Sequence, residues 1–309
     1  MKDLGVHVRP QALGGIRLVS AMLFVLGLFV VSTSAFAQPP TYTHTYPVED
    51  GQRLRIRSDV GSVKVRTWNS GKIDAEVTVS GHNADAFSVD FSVDDGGPVI
   101  TGTYASRDPH GIDVRILVNV PSRFDVEVRT SGGSVDLEDL EGRAWLRTSG
   151  GGVTLGNVNG DVNVEASGGA VRMGAVDGAV RVVTSGGEIV ARWIRDGLDA
   201  WTSGGSIKVN EIAGSVQAEA SGGSIDIGIT RQPGRDCNIT TSGGALTIRL
   251  GFGIRMDLEA TTRGDPINTQ FPLAEEARKD GWLFGKINGG GPKLNLRNNG
   301  GGPINVYRL

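Results

Sequence analysis

Seven serines, Ser131, Ser149, Ser167, Ser185, Ser203, Ser221 and Ser242, each stand directly before a pair of glycines. A small loop of this kind can present a nucleophilic hydroxyl, but the hydroxyl attacks only with a base in hydrogen-bond reach and a third group to orient that base. After residue 37 the only histidines are His44, His82 and His110, all upstream of the first of these serines. A catalytic centre is needed once and not seven times, so the pattern argues against a serine hydrolase.

Other chemistries meet similar obstacles. Glycine and aspartate repeats can build calcium-binding rolls, and Asp136 and Asp226 share one position of the repeat described below. Thr154, Arg172, Val190 and Lys208 occupy that same position, and a column holding Arg and Lys does not ligate a cation. A single cation site near "VDDGGP" (93–98) is left open. "NSGKID" (69–74) lacks the upstream glycine and the hydroxyl residue after Lys72 that a phosphate loop requires, and reads as a hairpin turn. Three scattered histidines and the single Cys237 have no zinc spacing. Glycoside hydrolysis would need paired carboxylates on one face. Asp136, Glu138, Asp139 and Glu141 are dense, but the next repeat puts Thr154, Gly156, Asn157 and Asn159 in their places, which suits a solvated corner better than an active site. No catalytic residue, metal site or cofactor is expected. Trp145, Trp193 and Trp201 are the candidate ligand-binding residues, because an exposed indole can stack on a sugar or anchor a partner. They share no column, so packing beneath flanking segments is the competing reading.

The elements that would position these residues follow from a repeat. Five units of equal length begin at Thr130, Thr148, Ala166, Thr184 and Thr202, and a sixth from Ala220 is stretched by "TRQPGRDCN". The sixth position is Val135, Val153, Val171, Ile189, Ile207 and Ile225, and the eighth is Leu137, Leu155, Met173, Ala191, Val209 and Ile227. The eleventh, fifteenth and seventeenth positions are apolar too. Apolar residues two apart are the pattern of a strand with one buried face. A helix would need spacings of three and four, and would lose about 1 kcal/mol at each glycine. One unit cannot bury its own face, but stacked copies can. The predicted fold class is therefore all-β, a parallel β-solenoid with 18-residue coils, three-sided, with irregular β caps at both ends. Its corners would fall at the Ser-Gly-Gly and near the thirteenth position, where glycine allows a positive φ and Thr or Ser bonds local backbone.

The predicted organisation is a signal peptide over 1–37, an N-terminal β cap or irregular coils over 38–129, the regular repeats over 130–250, and C-terminal coils with a cap over 251–309. Lys2, Arg9 and Arg17 precede an apolar run at 18–31 and an Ala-x-Ala ending at Ala37, so cleavage before Gln38 is expected. Residues 272–287 contain the one plausible helical turn after the signal. Removing residues 1–37 takes three basic and one acidic residue from 31 and 34, leaving 28 and 33, a formal charge of −5. That balance gives no support to nucleic-acid binding. A membrane contact is expected only through an uncleaved signal segment. Cys237 has no partner for an internal disulfide and reads as a small buried hydrophobe.

With "YPVEDGQRLRIRSDVGSVKVRTW" near the start, the TSGG units in the middle and "INGGGPKLNLRNNGGGPINV" at the end, the chain resembles the bacterial putative-adhesin family of β-strand repeats of unknown function, related to the GIN-type heads of putative autotransporter adhesins. The resemblance covers the chain after residue 37. It implies an exported β-helical protein of the cell envelope, periplasmic, surface-bound or secreted, and supplies no catalytic residues. The expected function is a non-catalytic adhesin or scaffold that binds an envelope or extracellular macromolecule, a glycan or a protein. The alternative is a polysaccharide lyase or hydrolase on the same fold.

Overall fold

The alternation of the repeats becomes strands in a computed structural model that describes residues 39–49, 51–105, 111–264 and 266–309. The expected cleavage site at Ala37 and Gln38 lies outside the described residues. Each repeat sends a strand into each of two sheets. Val171–Val176 and Ile189–Ile194 lie in the first, while Val180–Thr184 and Leu198–Thr202 lie in the second. Strands of neighbouring repeats pair in parallel at equivalent positions, Val171 with Ile189 and Val180 with Leu198. The stretched repeat keeps the pairing because its extra residues are taken up in the loop 230–236, so that Ile225 faces Leu246. Among the described residues the first sheet has 15 strands and the second 14.

The protein is all-β, with parallel pairing through the repeats and antiparallel pairs toward the ends. Two sheets, and not three, carry the repeats. The expected third face is reduced to Leu140–Glu141 beside Val158–Asn159, whose partner segment has already merged into Val171–Val176. Gly156 and Asn157 interrupt the chain between Leu155 and Val158, whereas Gly174 and Ala175 stay extended and let one strand run through.

The apolar columns point inward. Val135, Val153, Val171, Ile189, Ile207 and Ile225 are all fully buried, and Leu146, Val164, Val182, Ala200 and Ala218 line the inner side of the second sheet. Cys237 belongs to this core, and burial pushes its thiol up to about 11.

The Ser-Gly-Gly corners work differently from the expectation, although Gly142 and Gly160 at the thirteenth position do have positive φ. No glycine of the TSGG and ASGG corners has a positive φ. Close approach is what demands glycine there. A Cβ on Gly205 would collide with the Gly187 carbonyl oxygen, while one on Gly204 would keep 3.3 Å from the Gly186 oxygen. The second glycines thus stack backbone directly on backbone. The buried threonines bind this stack together. Thr202 Oγ1 donates to the Gly187 carbonyl at 2.9 Å and accepts from its own corner's Gly205 N–H at 3.1 Å. Thr148, Thr184 and Thr241 donate likewise to Gly133, Gly169 and Gly223. At the last corner Asn298 takes the role, its Nδ2 donating to the Gly244 carbonyl at 2.8 Å.

At both ends the chain stops following sequence order. Arg53–Ser58 and Ser62–Trp68 are inserted, in parallel, between strands within 97–121 and the first repeat strands at 125–137. Lys293–Asn298 likewise enters between Cys237–Thr241 and Met256–Thr262, and Ile304–Arg308 between Leu246–Leu250 and Ile267–Thr269. Residues 69–74 do not form a hairpin: the strands they join, Ser62–Trp68 and Lys72–Ser80, pair on opposite sides of Asp113–Pro121. The segment 272–287 is not helical either. Leu273–Lys279 and Trp282–Ile287 form an antiparallel pair turned at Gly281, φ 67°. Its charged residues offer no apolar stripe for a helix to bury, whereas Met256–Thr262 offers an open edge to pair with. The resulting edge strand is exposed, charged and bulged near Glu275, features that discourage pairing with another molecule.

Candidate functional site

With the core columns turned inward, the intervening residues of the second sheet form its outer face. Their identities do not repeat. One outer column runs Arg55, Glu127, Trp145, Asn163, Arg181, Asp199 and Gln217, each directly opposite the next on adjacent parallel strands. The column two residues further along runs Arg57, Arg129, Arg147, Glu165, Val183, Trp201 and Glu219.

Three hollows lie along this face. The largest, about 550 Å³, holds Trp145, Asn163, Arg181 and Asp199 and extends to Asp236. A second of about 290 Å³ shares Trp145 and Asn163 with it. A third of about 270 Å³ shares Arg129 and Arg147 with the second. Together they make a shallow trough across the strands.

The three candidate tryptophans are brought together only in part. Trp145 and Trp201 both face outward from the second sheet, half-buried, three strands apart or roughly 14 Å at the usual strand spacing. Their ring neighbours are arginines. Arg53 sits 4.0 Å from the Trp145 ring centroid with Arg143 at 5.1 Å, and Arg181 sits 4.8 Å from that of Trp201. Such cation–π contacts contribute about 0.5–1 kcal/mol at exposed sites. Trp193 faces outward from the first sheet instead, in a separate hollow of about 450 Å³ beside Asp139, Glu141 and Asp177.

The acidic corner is engaged locally. Asp139 accepts from the Asn157 N–H and side-chain amide at 2.7 and 3.0 Å, Glu141 pairs with Arg123 at 3.3 Å, and Glu138 with Arg66 at 3.7 Å. In the "VDDGGP" turn, the Arg55 guanidinium and the Gly96 N–H hold the Asp94 carboxyl below the usual carboxylate range. Among the described residues no group of three or more His, Cys, Asp or Glu side chains is placed to hold a metal ion.

Within the trough, ion pairs hold several side chains in place. Glu127 is shared by Arg53 at 3.3 Å and Arg129 at 2.9 Å, and Glu165 pairs with Arg147 at 3.1 Å. Asp125 takes three hydrogen bonds from Arg143 and raises that guanidinium's already high pKa. In contrast, the side chains of Asn163 and Asp199 bond to nothing else among the described residues. They are free to meet a ligand, and Arg181 beside them is engaged only with an indole.

The columns of the repeats do not by themselves single out the arginines at 57, 129 and 147. A signal was present, since "RTSGG" occurs twice in succession at 129–133 and 147–151. Arg57 could not be added to it without knowing that Ser58 pairs with Thr130, a partner far outside the period of the repeat.

No family model and no curated protein matches the chain. Solved structures do. The chain is similar to structures described as putative adhesins. One from Bacteroides fragilis is 14% identical, with 86% of this chain and 97% of that one covered and a TM-score of 0.38. A putative cell adhesion protein from Clostridium sporogenes is 12% identical, covering 87% and 100%, with a TM-score of 0.23. A structure from Parabacteroides distasonis described as a putative lipid binding protein is 15% identical, covering 68% and 90%, with a TM-score of 0.40. The first two descriptions match the family that the sequence resembles, but likeness at this level carries no weight for function, which is taken below from the chain's own residues.

Proposed function

We propose that the chain is an exported, non-catalytic protein of the cell envelope, adhesin-like, built as a parallel β-solenoid whose second sheet binds a macromolecule along its outer trough. The observation behind this reading is the contrast between the two sides of one sheet. Inner columns stay apolar from repeat to repeat, while the outer columns change in chemistry and place an indole, an amide and a carboxylate in a hollow of about 550 Å³. A second indole, Trp201, stands against Arg181 at the margin of that hollow. A hollow that is polar, elongated and flanked by aromatic rings suits an extended polyhydroxylated chain such as a glycan, because indole faces take the apolar side of a sugar ring and the amide and carboxylate take its hydroxyls. Expression with the first 37 residues intact is expected to deliver the protein to an envelope or extracellular fraction.

The test is binding of the chain from Gln38 onward to peptidoglycan, a glycan panel and matrix proteins, with the Asn163→Ala, Asp199→Ala double variant as control. Retention on at least one glycan, weakened tenfold or more by the double variant, is the expected result. Retention on none, or cleavage of a polysaccharide by the purified protein, would overturn it.

A further inference from the structure

The basic end of the trough has a feature that folding alone does not account for. Arg57, Arg129 and Arg147 lie directly opposite one another on three adjacent parallel strands, about 4.8 Å apart at the usual strand spacing. Like charges directly opposite each other destabilise a sheet. Their neutralisation is incomplete: Glu127 answers Arg129 while also holding Arg53, Glu165 answers Arg147, and Arg57 has no ion pair among the described residues. The carboxylate that feels the charge of Arg57, Asp94, is already hydrogen-bonded to Arg55. Beside this column the hydroxyls of Thr101, Thr103, Ser131 and Ser149 line the same hollow of about 270 Å³ and bond to no other protein group among the described residues. One carboxylate is also present, Asp59, and its Oδ2 is occupied by the Tyr104 N–H at 2.9 Å.

We propose that Arg57, Arg129 and Arg147, with the flanking hydroxyls, bind a sulfate or phosphate ester borne by the glycan in the trough. Guanidinium forks match the oxygens of a tetrahedral oxyanion, and hydroxyl donors complete its shell. The inference rests on the glycan-binding reading above and adds where the charge of that ligand must lie. The largest hollow carries Asp161, Asp196, Asp199 and Asp236 against Arg143, Arg181 and Arg235, and Arg143 is already paired with Asp125. A uniformly charged polyanion such as nucleic acid would be repelled there. A chain with an ester at one end and neutral sugars along the rest fits the distribution of charge.

The test titrates the chain from Gln38 onward, which contains the whole compact unit 39–309, with a sulfated oligosaccharide, a phosphorylated one and the unesterified parent. In parallel, inorganic sulfate and phosphate are titrated while the arginine Nε–H resonances are followed. An esterified glycan is expected to bind at least tenfold more tightly than its parent, with the advantage shrinking as salt is raised. Arg57→Gln, at a residue that lines only the third hollow, and, separately, Arg147→Gln should abolish the advantage, weakening the ester far more than the parent, with melting temperature confirming that each variant folds. The sulfated and phosphorylated arms identify which ester is preferred. Equal binding of ester and parent, equal loss of both in the variants, inorganic anions that shift no arginine signal, or a DNA oligonucleotide binding as tightly as the ester would each overturn the proposal. Failure of every glycan, parent included, would instead overturn the reading on which it rests.

Discussion

The repeats and the two ends of the molecule solve the same problem by different means. In the repeats each strand finds its partner in the very next unit, as Val180 finds Leu198. At the ends the partner lies much further along: Ser58 pairs with Thr130, and Ile239 with Leu296. A local partner needs only a short loop to close, whereas a distant one requires much of the chain between to be in place first. The middle can therefore form repeat by repeat, while each end forms only when its terminal segment slides in between two others.

Truncation tests this most severely. Removing residues 293–309 takes away the strand that fills the gap between Cys237–Thr241 and Met256–Thr262, and should expose amides throughout 237–287 to hydrogen exchange while protection in 171–220 persists. Deleting the whole repeat 184–201, a segment of similar length, should leave a folded protein, because Val180 can then pair with Val216 in the same register. If the repeat deletion unfolds the chain and the truncation does not, the contrast is reversed.

Next in size are the corner glycines of the middle. Gly205→Ala forces a Cβ into the Gly187 carbonyl and should cost on the order of 3 kcal/mol, whereas Gly204→Ala, with more room, should cost well under half as much. Denaturant midpoints of the two variants give the comparison directly. A positive-φ origin for the corner would make the two alike.

Alkaline titration separates one end from the other. Burial pushes the Cys237 thiol from an ordinary 9.0 up to about 11. Burial, and secondarily Asp90, pushes the Tyr46 hydroxyl from 10.0 up to about 12, where it donates to the Val99 carbonyl at 3.1 Å. Both groups are neutral in the fold when the unfolded chain has begun to ionise, so each contributes stability below its ordinary pKa that is lost as pH rises toward the folded one. Loss at the C-terminal end should therefore begin above about pH 9 and at the N-terminal end above about pH 10. Amide signals near Cys237 should weaken first, and Cys237→Ala should remove that first step. Loss at the two ends together would show that they unfold as one.

The smallest effect belongs to the threonine column. Thr202→Val removes a donor to Gly187 and an acceptor for Gly205, and should cost about 1–2 kcal/mol because a buried carbonyl is left unpaired. Ala220→Thr, at the same column, should gain a fraction of that if the added hydroxyl reaches the Gly205 carbonyl. Thermal melts of the two variants read both signs.

Much of the repeat architecture was legible in the amino-acid order. The columns at Val135, Leu137 and their equivalents are buried as their spacing implies, and the burial of Thr148 and Ala166 at the corner follows from their size. The tryptophans at 145 and 201 face outward, and so does Trp193, though on the other sheet. Legibility fails where partners are not periodic. The charged segment 273–279 became a strand because an open edge at Met256–Thr262 drew in Trp282–Ile287 and its neighbour with it, and no local pattern encodes that edge.

Periodicity is a local property, so the amino-acid order is enough to say which residues point inward, where the chain turns and which repeats are neighbours. How the ends are closed, why the second glycine of each corner cannot carry a side chain, and that Arg57 completes a column begun by Arg129 and Arg147 emerge only in three dimensions. Each of those depends on segments far apart in the chain lying one strand spacing apart in space, and the energy that brings them there comes from burying a common core, which a local pattern cannot specify.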